Sequence, residues 1–173
     1  TVIGAFDQCP EADIITFQIE DEHGQLLKPY RKEAFWMNHR DIMKVSSVEI
    51  AFKATSILNN HLWFDEDFGL GTIFPTGEEA IFLSDALKKG LKIKYVPFPI
   101  VIHSQDSSGH QFSNNKSLIR AKGAMFYRIF GFNAYIISII FAIKKFKMSS
   151  ETFVHFVKNM FEGISSYKKL RND

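Results

Sequence analysis

The residues whose types and spacing could do chemistry lie between Phe64 and Glu79, in the run Phe-Asp-Glu-Asp-Phe-Gly-Leu-Gly-Thr-Ile-Phe-Pro-Thr-Gly-Glu-Glu. Asp65, Glu66, Asp67, Glu78 and Glu79 bring five carboxylates into little more than one loop. Glu78 and Glu79 stand where a helix is expected to open. Crowded carboxylates raise one another's pKa, whereas the positive end of a helix lowers it. A partly enclosed carboxylate held between those influences is suited to take a proton from a hydroxyl as a general base. The same letters also have a structural use. Thr76 and Glu79 have the spacing of a capping box, and acidic residues are common in a first helical turn. Spacing alone leaves both uses open.

Other candidate groups are scattered. His103 follows a short apolar strand, where a lone His usually makes a hydrogen bond; as neutral imidazole it could also ligate Mn2+, and less readily Mg2+. Trp36 and Trp63 could stack on sugar rings, although tryptophan more often serves a core or an interface. The single cysteine, Cys9, allows no internal disulfide, and no Cys/His cluster has zinc spacing. These features, with no secretory signal at the start of the sequence, point to a reducing, cytoplasmic setting.

The elements that must position these groups are legible in the hydrophobic pattern. Residues 12–20 alternate through Ile15, Phe17 and Ile19, which predicts a strand. A turn at 21–24 follows, with a possible return strand over 25–30. Residues 34–44 read as a loop or short helix. Val48, Ile50 and Phe52 alternate against Glu49 and Lys53 as a second strand, and 54–60 read as a short helix. Thr76 is expected to cap a helix with Ala80, Leu83 and Leu87 on its apolar side and Gly90 past its end. Leu91 to Ile102 read as a strand interrupted by Pro97 and Pro99, and the segment around Gly109 as a loop. From about Asn114 the pattern is helical, ending in an amphipathic helix over 150–170 that gathers Phe153, Phe156, Val157, Met160, Phe161 and Ile164. The expected class is α/β with a helical tail.

Charge divides the chain at the same place. Residues 1–113 hold 10 Lys+Arg against 16 Asp+Glu, while residues 114–173 hold 11 against 3. A basic module of this kind suits an anionic partner. Within it, residues 124–143 are strongly apolar but interrupted by Arg128, Gly131 and Asn133. The clean piece, 134–143, is about half of the ~20 residues that a spanning helix needs. Lys144, Lys145 and Lys147 follow at once, so the segment reads as interfacial or core-packed. An anionic membrane surface is the expected partner. Nucleic acid is not expected, because no binding motif appears and the basic residues are interleaved with long aliphatic runs.

The order of these features resembles the C-terminal half of a family 2 glycosyltransferase of the GT-A fold, over roughly residues 10–110. The matching features are Phe64-Asp65-Glu66-Asp67-Phe68-Gly69-Leu70-Gly71, then Gly77-Glu78-Glu79, Lys89-Gly90, Tyr95-Val96-Pro97 and His103. The resemblance implies a nucleotide-diphospho-sugar transferase that works by single displacement with inversion, on a nucleotide-sugar donor and a saccharide or lipid-linked saccharide acceptor. It makes Glu79 the catalytic base, with Glu78 beside it, where the family usually has Glu-Asp. Asp65, Glu66, Ser47 and Trp36 become candidate substrate contacts, and His103 a candidate metal ligand. The family's Asp-x-Asp motif, which holds Mg2+ or Mn2+, has no counterpart before Ile14; Asp65-Glu66-Asp67 lies at the wrong place. The resemblance therefore implies a chain that begins after the donor site: 1–113 as the C-terminal part of the transferase domain, and 114–173 as basic helices placed on the inner face of the cell membrane. Surface polysaccharide or glycolipid synthesis would be its setting. The alternative is a non-catalytic membrane- or partner-binding module that keeps a transferase-like remnant.

Overall fold

A continuous apolar run makes the central strand. In the computed structural model, which describes residues 1–103 and 115–172, β1 spans Ile14–Glu20 and is buried from Ile14 through Ile19. Burial on both faces marks an interior strand. β2 is Phe35–Trp36, β3 is Ile50–Phe52 and β4 is Ile93–Ile102; they form one mixed sheet in the order β2-β4-β1-β3. β1 runs parallel to β4 with Ile14 opposite Ile93, and antiparallel to β3. The register of β1 against β4 slips between Thr16 and Ile19, with Gln18 opposite Pro99. Proline has no N–H for the ladder, so the pairing is interrupted there.

The chain divides into two compact units, one holding Thr1–Trp63 and the stretch from Phe82 through β4, the other holding Phe64–Ile81 and the C-terminal helices. The first unit is the sheet with its helices. On one side Ile14, Ile42, Phe82, Leu83 and Ile93 join one core. On the other, Cys9, Ala12, Ile15 and Phe17 pack with Val2, Ala5 and Phe6 of α1 (Val2–Gln8). α2 (Ala54–Asn59) follows β3 as expected.

Three expectations in this unit need correction. The return strand over 25–30 reduces to a single bridge between Glu20 and Leu26, because Asp21 binds the turn itself, accepting from the His23 and Gln25 N–H groups through Oδ1. Residues 34–44 hold a short helix as expected, the 3-10 turn Ile42–Lys44, but also the unexpected edge strand β2. Of the strand expected at 48–52, Ser47–Glu49 is instead a 3-10 turn, with Val48 and Phe52 exposed and Glu49 only 2 % exposed. The alternation inverts there because Glu49 has partners inside: Lys28 Nζ at 2.8 Å, the Tyr30 hydroxyl and the Ser46 N–H.

α3 (Glu78–Lys88) begins one residue later than a Thr76 cap would set it. Gly77 precedes it with φ +110, and the Gly77 carbonyl accepts from the Ile81 N–H. Glu79 is thus the second helical residue rather than the third, outside the frame of a capping box. Gly90 ends the helix at φ +81 as expected.

The second unit is held by helix on helix. α4 (Lys116–Phe130) ends at Gly131, where φ is +57, and α5 (Ala134–Lys145) starts a new direction. α6 (Phe153–Leu170) buries Phe156, Asn159, Met160, Gly163, Ile164 and Tyr167, so the expected stripe exists but is centred nearer Gly163. Gly123 of α4 and Gly163 of α6 let the two backbones touch: a Cβ at Gly123 would collide with the Met160 carbonyl, and one at Gly163 with the Arg120 carbonyl. Phe68 and Phe74 stack at 4.9 Å and meet Tyr167 of α6 at 5.6 and 5.9 Å, which seats the loop before α3 on the helices. The loop expected around Gly109 lies outside the described residues.

Candidate active site

Glu78 and Glu79 open α3 with their neighbours on the second unit. Glycines fix the approach. Gly77 has a backbone conformation that L side chains rarely adopt, and a Cβ there would lie 2.9 Å from Met125 Cγ of α4. Gly69 leaves room at the carboxyl, since a Cβ built on it would stand 3.4 Å from Glu78 Oε1. Glu78 Oε2 is buried and finds no hydrogen-bond partner among the described residues. Burial, and then the charge of Glu79, push the Glu78 carboxyl above the ordinary range, although the backbone N–H groups of Glu78 and Gly77 pull the other way.

A lysine lies within electrostatic reach of this pair. Lys122 lies on α4, and its Nζ is 3.7 Å from Met125 Sδ. Burial pulls its ammonium below the ordinary lysine range, and the carboxylates of Glu79 and Glu78 partly restore it. The arrangement is a pair of carboxyl groups, one with an oxygen that finds no hydrogen bond among the described residues, within electrostatic reach of one cation. A carboxyl whose hold on its proton is strengthened by burial is suited to proton transfer. Sequence reading missed Lys122. Its signal was a lysine standing inside the apolar stripe Leu118, Ile119, Met125, Phe126 and Ile129.

The other candidate residues fall elsewhere. Asp65 lies in the same unit, but its side chain is 6 % exposed and its oxygens are engaged by Arg128 Nε at 2.8 Å and Arg171 Nη2 at 3.3 Å. Arg171 also reaches Asp67 at 3.0 Å. These ion pairs tie the loop to α4 and to the end of α6. Glu66 is exposed. Ser47, Trp36 and His103 belong to the first unit. Ser47 is exposed in the 3-10 turn. Trp36 is 42 % exposed, and Lys94 Nζ covers its ring at 4.3 Å. Trp63 is 66 % exposed. His103 follows β4, and its backbone N–H donates to the Glu20 carbonyl at 2.9 Å. Among the described residues no three His, Cys, Asp or Glu side chains gather as a metal site.

Comparison with known proteins gives no match to a family model, a curated protein or a solved structure.

Proposed function

We propose that this chain is the acceptor-side part of an inverting glycosyltransferase of GT-A type, acting on a nucleotide-sugar donor. The observation that carries the reading is the Glu78–Glu79 pair at the start of α3, behind a glycine-rich loop, with Glu78 raised by burial and Lys122 close enough to feel both charges. The mixed α/β sheet is compatible with it. In this reading Glu79 accepts the proton of the acceptor hydroxyl. The freed oxygen forms a bond to the anomeric carbon from one face. The bond from that carbon to the diphosphate oxygen breaks on the other, and the nucleoside diphosphate leaves with the electron pair. Burial and the neighbouring charge of Glu79 favour the protonated form of Glu78 more than in an ordinary glutamate, which eases the crowding of the pair. Lys122 offsets the negative charge that remains. The Mg2+ or Mn2+ that the resemblance implies belongs to the donor side, and no step above passes through it.

The test is sugar transfer by the protein as its host makes it, followed as nucleoside diphosphate released from a panel of nucleotide sugars. Glu79→Gln is expected to lower kcat by about a hundred- to ten-thousandfold, the usual worth of a general base. Transfer near wild type in that variant would remove Glu79 as the base. No turnover by the unaltered protein with any donor would favour the second reading, a non-catalytic binding module. One surface feature favours that module independently of the carboxylates.

A further inference from the structure

The helix after Gly131 presents most of its isoleucines to solvent and its small residues to the interior. Phe132, Ile136, Ile139, Ile140 and Ile143 are 75, 63, 40, 49 and 59 % exposed. The spacing of three and four puts the isoleucines on one side of α5, with Phe132 in the 3-10 turn just before it. The residues α5 buries are Ala134, Ser138 and Ala142, four apart on the other side. A helix of a water-soluble domain ordinarily shows the reverse arrangement.

The segment that carries this face is basic at its end. From Gly131 to Ser150 the chain contains three Lys and no Asp or Glu. Lys144 and Lys145 occupy the last turn of α5, with Lys147 just beyond. At the opposite end Lys168 Nζ lies 5.6 Å from the Phe132 ring centroid. An apolar stripe with lysines at both ends fits an anionic leaflet, whose acyl chains take the isoleucines and whose headgroups take the ammonium groups. A second copy of the chain fits less well, because the same face would bring basic ends together without an acidic partner.

The stretch Lys116–Met148 is long enough for a membrane span and contains an 18-residue window of mean hydropathy 1.7. Its geometry argues for lying flat. α4 buries eight of its residues inside the unit, Gly131 breaks the direction, and the 12 residues of α5 reach about 18 Å against a hydrocarbon core of about 30 Å.

We propose that the Ile136–Ile143 face of α5, with Phe132 just before it, is a docking surface for an anionic lipid bilayer, seated at the boundary of headgroups and acyl chains. This stands apart from the transferase reading, since neither Glu78 nor Glu79 takes part.

The experiment is sedimentation of the purified chain with phosphatidylcholine vesicles, with and without phosphatidylglycerol, at low and high salt. Binding is expected only with phosphatidylglycerol, and is expected to weaken with salt. Two variants separate the contributions. Lys144→Glu with Lys145→Glu and Lys147→Glu is expected to weaken binding about a hundredfold. Ile136→Ser with Ile140→Ser is expected to abolish it while leaving the circular dichroism unchanged, as both side chains are exposed. Equal binding to neutral vesicles, no binding, or unchanged binding by the isoleucine variant would each overturn the proposal. So would a dimer in light scattering that the isoleucine variant dissolves, which would give the face to a second copy.

Discussion

Glu78 is where local chemistry and the helix pull apart. Its place at a helix N-terminus favours the carboxylate, yet burial wins and the folded chain holds the proton more tightly than an ordinary glutamate, whose reference value is 4.5. A folded state that binds a proton more tightly than the unfolded state loses stability as pH climbs from the unfolded value through the raised folded one. Glu78→Gln removes that dependence. Urea unfolding at about pH 4 and about pH 7 is expected to show the variant gaining on wild type as pH rises; an unchanged difference would mean that burial does not act on this carboxyl. The acidic pair itself was legible, because Gly-Glu-Glu before an apolar helical stripe announces a helix start. Its surroundings were not. Lys122 stands more than forty residues away in sequence, and Asp65 meets Arg128 and Arg171 across 63 and 106 residues. No periodicity carries such pairings, so Asp65 read as an open carboxylate when arginines already hold it.

Between elements, two contacts decide how closely things pack. Gly123 and Gly163 allow α4 and α6 to meet backbone to backbone, and a methyl at either would strike a carbonyl oxygen that cannot swing aside. Alanine ordinarily improves a helix interior by about 0.5–1 kcal/mol over glycine. Here Gly163→Ala is expected to cost about 3 kcal/mol instead, measured by urea unfolding, because overpacking outweighs propensity. The Glu49 cluster works in the first unit. Removing the carboxylate leaves Lys28 and the Tyr30 hydroxyl without their shared partner, and Glu49→Ala is expected to cost about 2 kcal/mol, less than a fully buried pair because Lys28 is partly solvated. β1, α3, β4 and α6 were readable because long apolar runs impose their period. β2 and the 3-10 turns were not, since two or three residues contain no period, and Glu49 is inverted by tertiary partners rather than by its own pattern.

At the scale of the whole chain, the change in charge near residue 113 was visible in the sequence, and it separates the strand-bearing part from the purely helical one. The packing assigns one segment otherwise. Phe64–Ile81 lies between β3 and β4 in sequence, yet its aromatic residues Phe68 and Phe74 pack against Tyr167. A chain cut at residue 113 should therefore expose those rings. It is expected to bind the dye ANS and to aggregate where the full chain does not, and a soluble, dye-silent fragment would contradict this packing. The two tryptophans bear on how any such comparison is read. Trp36 and Trp63 both sit in the first unit and are already open to solvent. Their emission will therefore shift little on unfolding and will carry no direct signal from the helices. The helical unit holds tyrosines but no tryptophan, so a denaturation curve drawn from indole fluorescence would be blind to half of this molecule.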